Sequence, residues 1–492
     1  MGHIEEAQAL VRNLHQRMSP SAYDIAWLAR LRGEEGGLRW PYLSSWLLEN
    51  QNEDGSWGGK IEYYHDRIVS TLAALMALQE SAPDPDTRKA IHRGETYLWR
   101  HTHLLGADPS IPRAFELIFP TLLTEARQLG LDVPAHTYGY DAIRKAKLNQ
   151  FLPEELYTTE SSVGCSLEFL GQYGNVGLMR RALLVNGSLG NSPSTTAYYL
   201  HLNGDDDRAL GYLASLPKIV SIYPFRAFEL TWVLNNLALT GLPMVEIAGR
   251  EIWEELYIQL SSGGIGLDPS LPLPNGDITA ISLRLLLRAG YDVDPLVLQQ
   301  FEDAERQSFR TYDYERALSV STNVHALQAL DAFPTYPGEQ EIREHVIILL
   351  LDSHVHDMYW MDKWHASPHC ATSHALVTLS GYGPWTERAC RDTVQWLLHT
   401  QRPDGSWGFY DIGTAEETAY VLLGLLHYRR YGEVDAEVLH RGAAYLEASR
   451  ECGALDCPQL WIGKSLYAPY EIIRSAMLAA LILYEETFGR SP

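Results

Sequence analysis

The sequence predicts an all-α protein built as two helical barrels. Three observations carry that reading: apolar residues recur at helical spacing, alternating strand patterns are scarce, and one helix-corner word occurs near either end of the 492-residue chain. Stripes at i, i+3, i+4 and i+7 run through residues 66–80, 112–131, 280–290, 416–432 and 472–488, the spacing by which a helix turns one face to a core. Between them lie short Gly, Pro and Asp clusters such as NEDGSWGG, SAPDPDT, LPLPNGD, AFPTYPGE and RPDGSWG. These read as turns between helices.

The corner word is Trp46-Leu47-Leu48-x-x-Gln51-x-x-Asp54-Gly55-Ser56-Trp57-Gly58, which returns as Trp396-Leu397-Leu398-x-x-Gln401-x-x-Asp404-Gly405-Ser406-Trp407-Gly408. A helix ends in WLL-x-x-Q, a glycine opens a tight turn, and the tryptophan folds back while the glutamine caps backbone groups of the next element. Two copies so far apart predict one clamp on each barrel rather than a solenoid of short repeats.

Composition narrows the function. With 39 Lys+Arg against 62 Asp+Glu the net charge is −23, which disfavours nucleic acid or an anionic membrane surface as partner. No apolar run reaches membrane-spanning length, and the start, MGHIEEAQALVRNLHQRMSP, is acidic and amphipathic rather than a signal peptide. A cytoplasmic protein is expected. Cys165, Cys370, Cys390, Cys452 and Cys457 are scattered and odd in number, so buried thiols are expected rather than disulfides or a zinc knuckle. Thirteen Trp and 28 Tyr stand against 11 Phe, a supply of π faces for a core or for a cavity with a cationic or apolar guest.

Among the acidic words, Asp205-Asp206-Asp207 reads as a solvated turn before RALGYL, and Asp292-x-Asp294-Pro295 as a turn after the helix that ends at Gly290. His365, His369 and His374 fall at i, i+4 and i+9, but no cysteine or carboxylate spacing completes a zinc site.

The corners resemble the Q-W motifs of triterpene and class II diterpene cyclases, and neighbouring words sharpen the likeness. Ser21-Ala22-Tyr23-Asp24-Ile25-Ala26-Trp27 is similar to SAYDTAW of the diterpene enzymes, and Pro193-Ser194-Thr195-Thr196-Ala197 to their PSSTA. Phe301-Glu302-Asp303 and Ser321-Thr322-Asn323-Val324-His325 follow the acid motif as in bacterial members; Met361-Asp362-Lys363-Trp364-His365 and Thr414-Ala415-Glu416-Glu417-Thr418-Ala419-Tyr420 resemble their DKW(H) and TAEETAY. The order holds from about residue 20 to 480, and the likeness is strongest to bacterial halimadienyl (tuberculosinyl) or copalyl diphosphate synthases.

The resemblance implies two (α/α) barrels, with γ at 33–240 inserted into β at 1–32 and 241–492, and an active site between them. It implies protonation-initiated cyclisation of geranylgeranyl diphosphate to a bicyclic labdane, halimane or clerodane-type diphosphate that keeps its diphosphate. No paired Asp-Asp-x-x-Asp and Asn/Asp-Asp-x-x-Ser-x-x-x-Glu words are present to ionise that group. A homodimer is compatible with the family.

Protonating an alkene needs a neutral carboxylic acid in a dry pocket, and an aspartate's reference value of about 3.9 must rise by about 3 units for the acid to be half protonated at neutral pH. The family's Asp-x-Asp-Asp appears here as Asn275-Gly276-Asp277-Ile278. Only the middle carboxylate remains, so Asp277 is the expected acid, with helix capping as its plain alternative. The family implies Asn323 as the group that hydrogen-bonds and orients this acid. It also implies Lys363, beside Trp364, as a diphosphate contact, with an ion pair to Asp362 as the alternative, and Mg²⁺ near Asp108, the one clear acid left in the word before Phe115-Glu116. Alignment puts Tyr157 and Ser221 where plant ent-copalyl enzymes hold the His and Asn that position a terminating water. Neither is a strong base, so a product other than simple ent-copalyl diphosphate is expected. Tyr359, Trp360, Trp364 and Tyr420 are candidates for steadying carbocations, or for plain core packing.

Alternatives stay open: a farnesyl diphosphate or meroterpenoid (aryl-prenyl) cyclase, a non-catalytic isoprenoid-binding relative, and an inverting glycosidase, which would need two carboxylates about 6.5–9.5 Å apart.

Overall fold

The computed structural model describes residues 2–14, 18–222, 225–312, 315, 317–450 and 457–489. Cys452 lies outside them. Helices dominate, and the described strands form only two-stranded hairpins.

Buried apolar side chains fall into two large clusters. The first runs from Ala22 to Val220. The second combines Ala7 to Met18 with Ile222 to Leu483, joined by Cys165 and Leu184. Helix His3–Arg12 therefore packs with the second core, whereas the following helix Ala22–Ala29 packs with the first. The cores change over between residues 18 and 22 and between 220 and 222.

Each core is ringed by inner helices. Around the first lie α1 (Ala22–Ala29), α2 (Tyr64–Glu80), α3 (Phe115–Gln128), the 3₁₀ segment Ser162–Tyr173 and α4 (Pro193–Asn203), each packed on the next and the last on α1. Around the second lie α5 (Arg226–Ala238), α6 (Gly276–Arg288), α7 (Val320–Ala332), α8 (Pro368–Leu379), α9 (Ala415–Tyr428) and α10 (Tyr470–Phe488), closing in that order from α10 back to α5. The inner helices are buried almost all round, whereas outer ones such as Glu387–Thr400 bury a single stripe.

The corners work as their residues suggest. Gln51 donates to the Gly55 and Ala90 carbonyls at 2.8 and 2.9 Å, and Gln401 to those of Gly405 and Val438 at 3.0 and 2.9 Å. Gly55 and Gly405 adopt φ of +94° and +90°, and a Cβ at either would run into the carbonyl of Arg93 or Arg441. Trp57 and Trp407 are fully buried, each indole N–H donating to the leucine carbonyl ten residues back (Leu47 and Leu397). Trp360 does the same to Leu350, a third corner that keeps Asp357 but lacks the Gln and Gly-Ser letters and was not legible as a repeat.

A hairpin, Trp461–Ile462 paired with Leu466–Tyr467, leaves the second core and plugs into the first. At its tip Lys464, only 1% exposed, places its ammonium 2.6 Å from Glu168, with the Cys165 carbonyl and the Ser192 hydroxyl each at 2.8 Å. The Leu466 N–H donates to Asp66 at 2.8 Å and the Arg113 N–H to the Gly463 carbonyl at 2.8 Å.

Removing one member of a buried ion pair strands the other, at a cost of about 3–5 kcal/mol. Lys464→Met should lose that much in urea unfolding at 25 °C. Lys464→Met combined with Glu168→Leu should recover most of it; a double variant no more stable than the single would show that the pairing is not what holds the hairpin.

Candidate active site

Helix α6 begins at Asn275, whose side-chain oxygen accepts the Ile278 N–H at 3.1 Å. The cap is therefore Asn275, and Asp277 is left free of that duty. The buried Asp277 carboxyl lines a cleft between the two cores. The second core supplies most of the wall and Arg113 enters from the first. Phe228, Trp232, Trp364, Trp461, Tyr312 and Tyr467 give the wall its aromatic character. Trp232 and Trp461 meet edge to face at 5.0 Å and Phe228 meets Trp461 at 5.5 Å, an arrangement suited to π systems.

Asp277 Oδ1 lies 2.7 Å from His325 Nδ1, and His325 Nε2 lies 3.4 Å from His374 Nδ1. Trp232 packs edge-on against both imidazoles, each at 5.3 Å. Burial, then the nearby His325, Arg284 and His365, push His374 well below the ordinary histidine range, so it is a neutral imidazole.

The hydrogen bond expected from Asn323 thus comes from His325, two residues on. Asn323 is spent on backbone: its oxygen accepts the Phe309 N–H at 2.9 Å and its nitrogen donates to the Phe309 and Ser319 carbonyls at 2.9 Å.

Of the other expected residues, Trp364 joins Asp277 on the cleft, whereas Lys363, Tyr157, Ser221, Tyr359 and Asp108 are not part of its lining. The Lys363 ammonium sits 2.8 Å from Glu315 and donates to the Ala317 carbonyl at 2.7 Å, so its ion-pair partner is Glu315. Asp362 instead accepts from the Ser319 and Ser321 hydroxyls at 3.0 and 2.9 Å, tying the DKW loop to the start of α7. Tyr157 accepts the Asn175 N–H, Ser221 bridges to Pro20, and Tyr359 packs on Trp396 and Phe409. Trp360 is core, its indole serving the third corner. Tyr420 packs beside His374 at 5.5 Å.

The groups around Asp108 fit Mg²⁺ poorly. One carboxylate oxygen accepts the Tyr64 N–H at 3.1 Å; the other meets the His65 N–H at 2.7 Å and its Nδ1 at 2.6 Å. Mg²⁺ prefers octahedral oxygen donors, and here three of the carboxylate's roughly four acceptor sites are used and the nearest side chain is an imidazole. Among the described residues one group of three potential ligands, Glu80, Glu125 and His201, comes together, but the Arg30 guanidinium already bridges its two carboxylates.

The three histidines of the rejected zinc spacing are pulled apart. His365, on the cleft, meets Glu416 at 3.2 Å; His369 meets Glu417 at 3.0 Å; His374 faces His325. Sequence reasoning missed His325, although it stands in the same word as Asn323, missed Arg113, although it stands in the word that holds Asp108, and missed Trp232 and Trp461, which no motif marks. Cys165, Cys370 and Cys390 are buried thiols as expected, and Cys457 is half-buried.

No protein-family model matches the chain. It is 33% identical over 498 residues to the type B diterpene cyclase of Mycobacterium tuberculosis (strain ATCC 25618 / H37Rv), covering 96% of each chain. It is 31% identical to the ent-copalyl diphosphate synthase of Streptomyces sp. (strain KO-3988), covering 94% of this chain and 92% of that one. The solved structure of ent-copalyl diphosphate synthase from Streptomyces platensis superposes with a TM-score of 0.78 at 30% identity, over 98% of this chain and 99% of the other.

Burial works to lower the His365 pKa, but the hydrogen bond and charge of Glu416 outweigh it and raise the value. A raised histidine contributes stability that is complete below the unfolded value of about 6.5 and is lost as pH climbs through the folded one. The stability difference between wild type and Glu416→Gln should be greatest at about pH 6, where the carboxylate is ionised and the histidine protonated, and shrink as pH rises above that; a difference constant with pH would show that the pair does not titrate as described.

Proposed function

The chain belongs to the class II diterpene cyclases, and on that premise we propose that Asp277 is the acid that opens the reaction and geranylgeranyl diphosphate the substrate. The supporting observation is the buried Asp277 carboxyl on an aromatic cleft, with one oxygen held by His325 and the other left for substrate. In this reading the Asp277 proton passes to the terminal alkene, whose π electrons form the new C–H bond and leave a tertiary cation. Two neighbouring alkenes close the two rings in turn, each giving a π pair to a new C–C bond. Loss of a proton ends the sequence with the diphosphate intact. His325 orients the carboxyl, and the Trp232, Trp461 and Phe228 rings steady the travelling charge, worth up to about 2 kcal/mol each in a dry site.

Arg113, on the wall supplied by the first core, is the candidate for the diphosphate end, since Lys363 is engaged by Glu315. The first core, 22–220, is assigned as γ and the second, 3–18 with 222–489, as β. Mg²⁺ is given no step, because the donors around Asp108 do not suit it. With Tyr157 and Ser221 off the cleft lining, the reading keeps the expectation of a product other than simple ent-copalyl diphosphate.

Incubation with geranylgeranyl diphosphate, followed by phosphatase, should release a bicyclic diterpene alcohol. Asp277→Ala should abolish it, and full activity in that variant would remove Asp277 from its role. His325→Phe should lower kcat by about 10²–10⁴-fold, the usual weight of an acid–base group. Asn323→Thr should stay within about threefold of wild type, because threonine fills the same corner position on neighbouring helices; if the two effects are reversed, Asn323 and not His325 orients the acid.

A further inference from the structure

Four lysine or arginine side chains are buried among the described residues: Arg30, Arg67, Arg284 and Lys464. Three of them meet a carboxylate. Arg30 lies 2.9 Å from Glu80 and also reaches Glu125, Arg67 lies 2.8 Å from Asp54, and Lys464 lies 2.6 Å from Glu168. Arg284, on α6 and 9% exposed, has no carboxylate within ion-pair distance among those residues, and its guanidinium donates to the neutral side chain of Asn235. A buried charge without a counter-charge is costly. Burial, then the neighbouring Arg288, push the Arg284 pKa down to about 9, which still leaves it cationic at neutral pH.

Arg284 lines a second cleft, at the C-terminal end of the same ring, with Arg288 from the last turn of α6, Asp331 of α7, His427 from the last turn of α9 and Arg430 just beyond it. Neither Arg288 nor Arg430 has an ion-pair partner among the described residues. Asp331, the one carboxylate on this wall, accepts the Tyr382 hydroxyl at 2.7 Å and stands 4.0 Å from Arg343. Burial, then the Arg430 charge, hold His427 down at about 4, so the positive charge here is that of the arginines. Arginines at helix ends ordinarily offset the C-terminal dipole, and Arg288 does so, donating to the last carbonyl of α5, that of Ala238, at 3.0 Å. Arg284 does not: it sits a full turn before the end of α6 and reaches a side chain. On a chain of net charge −23, three guanidinium groups without carboxylates converge on one concavity.

We propose that this far cleft is a binding site for a phosphoryl anion, with Arg284 at its floor and Arg288 and Arg430 at its rim. A guanidinium presents paired donors that match phosphate oxygens two at a time. Three of them suit the charge of a diphosphate, whether free or at the end of an isoprenyl chain. The site is separate from the catalytic cleft, on whose lining Arg113 is the one arginine or lysine, and its ligand supplies the counter-charge that the fold provides for Arg30, Arg67 and Lys464 but not for Arg284.

Inorganic diphosphate is titrated calorimetrically, at constant ionic strength and without divalent metal, into the full chain carrying Arg113→Met, so that the catalytic cleft does not contribute. Saturable binding is expected, and adding either Arg284→Met or Arg430→Met should weaken it by about tenfold or more, the weight of a charge-assisted contact. Thermal unfolding gives a second readout. Without diphosphate, Arg284→Met should unfold no lower than its parent, because an uncompensated buried charge has given way to an apolar chain; at saturating diphosphate it should unfold below the parent, which alone gains from the ligand. Repeating the titration with farnesyl diphosphate separates the sources: equal affinity marks the free anion, and binding about tenfold tighter that Arg430→Met still weakens marks an isoprenyl diphosphate. No binding to the Arg113→Met chain, or an affinity that Arg430→Met leaves unchanged, overturns the site, and the exposed Arg430 carries this test if Arg284→Met does not fold. A loss of stability in Arg284→Met that is the same with and without diphosphate overturns it as well, since Arg284 would then serve the fold alone.

Discussion

A single hydrogen bond, repeated, sets the register of everything described. At Trp57, Leu189, Ile265, Phe309, Trp360 and Trp407 the chain entering an inner helix donates a buried backbone N–H, at 2.9–3.0 Å, to a side-chain oxygen of that helix, near its start in every case but that of Thr71, which lies two turns into α2. The acceptors are Thr71, Thr196, Thr279, Asn323, Thr372 and Thr418. An unpaired buried N–H is expensive, so each bond locks one rotational setting of its helix against the turn before it.

That setting decides which side chains meet at the cleft. Two residues before the acceptor stand Asp277 on α6, Ser321 on α7, Cys370 on α8 and Glu416 on α9; the first three line the cleft, and Glu416 lies just behind it, accepting the Trp461 indole N–H at 2.7 Å. Two residues after the acceptor stand Ile281, His325, His374 and Tyr420, one layer deeper in the ring. Asp277 and the two imidazoles are therefore adjacent steps of one repeated plan, filled with different chemistry. The same plan explains Asn323: it occupies the acceptor position of its helix and cannot also reach inward, whereas His325 can.

The fold class was legible because helical stripes and two well-preserved corners are local signals. Asp277 was legible because its word keeps the middle carboxylate and the Thr-Ala that follows. Asn323 and His325 could not be told apart, since both are polar, both sit in one turn of α7, and only the corner bond shows which is already engaged. Lys363 failed for a related reason: the sequence offers Asp362 beside it, but the loop geometry turns Asp362 toward Ser319 and Ser321 and gives the ammonium Glu315, 48 positions away. Trp232 and Trp461 had no word to mark them, and nothing in the word that holds Arg113 sets it apart, because their place on the cleft is made by packing between distant segments.

Closing the cleft is a separate problem from building the ring, and the hairpin at 461–467 solves it with charge. A charged Lys464 inside the first core gains no stability over an apolar side chain of equal volume merely by being paired. Its advantage is direction: an ammonium has three donors that must all find oxygens, and Glu168, Ser192, Ser194 and the Cys165 carbonyl present them at one spot. Glu168 is itself held by Tyr23 and Thr195, and Ser194 by Asp24. The SAYDIAW and PSTTA words thus converge on the lysine that seats the hairpin. Because Trp461 and Gly463 of that hairpin are wall of the cleft, side chains that never touch the cavity determine how tightly it excludes water, and with it whether a carbocation formed there survives long enough to close two rings.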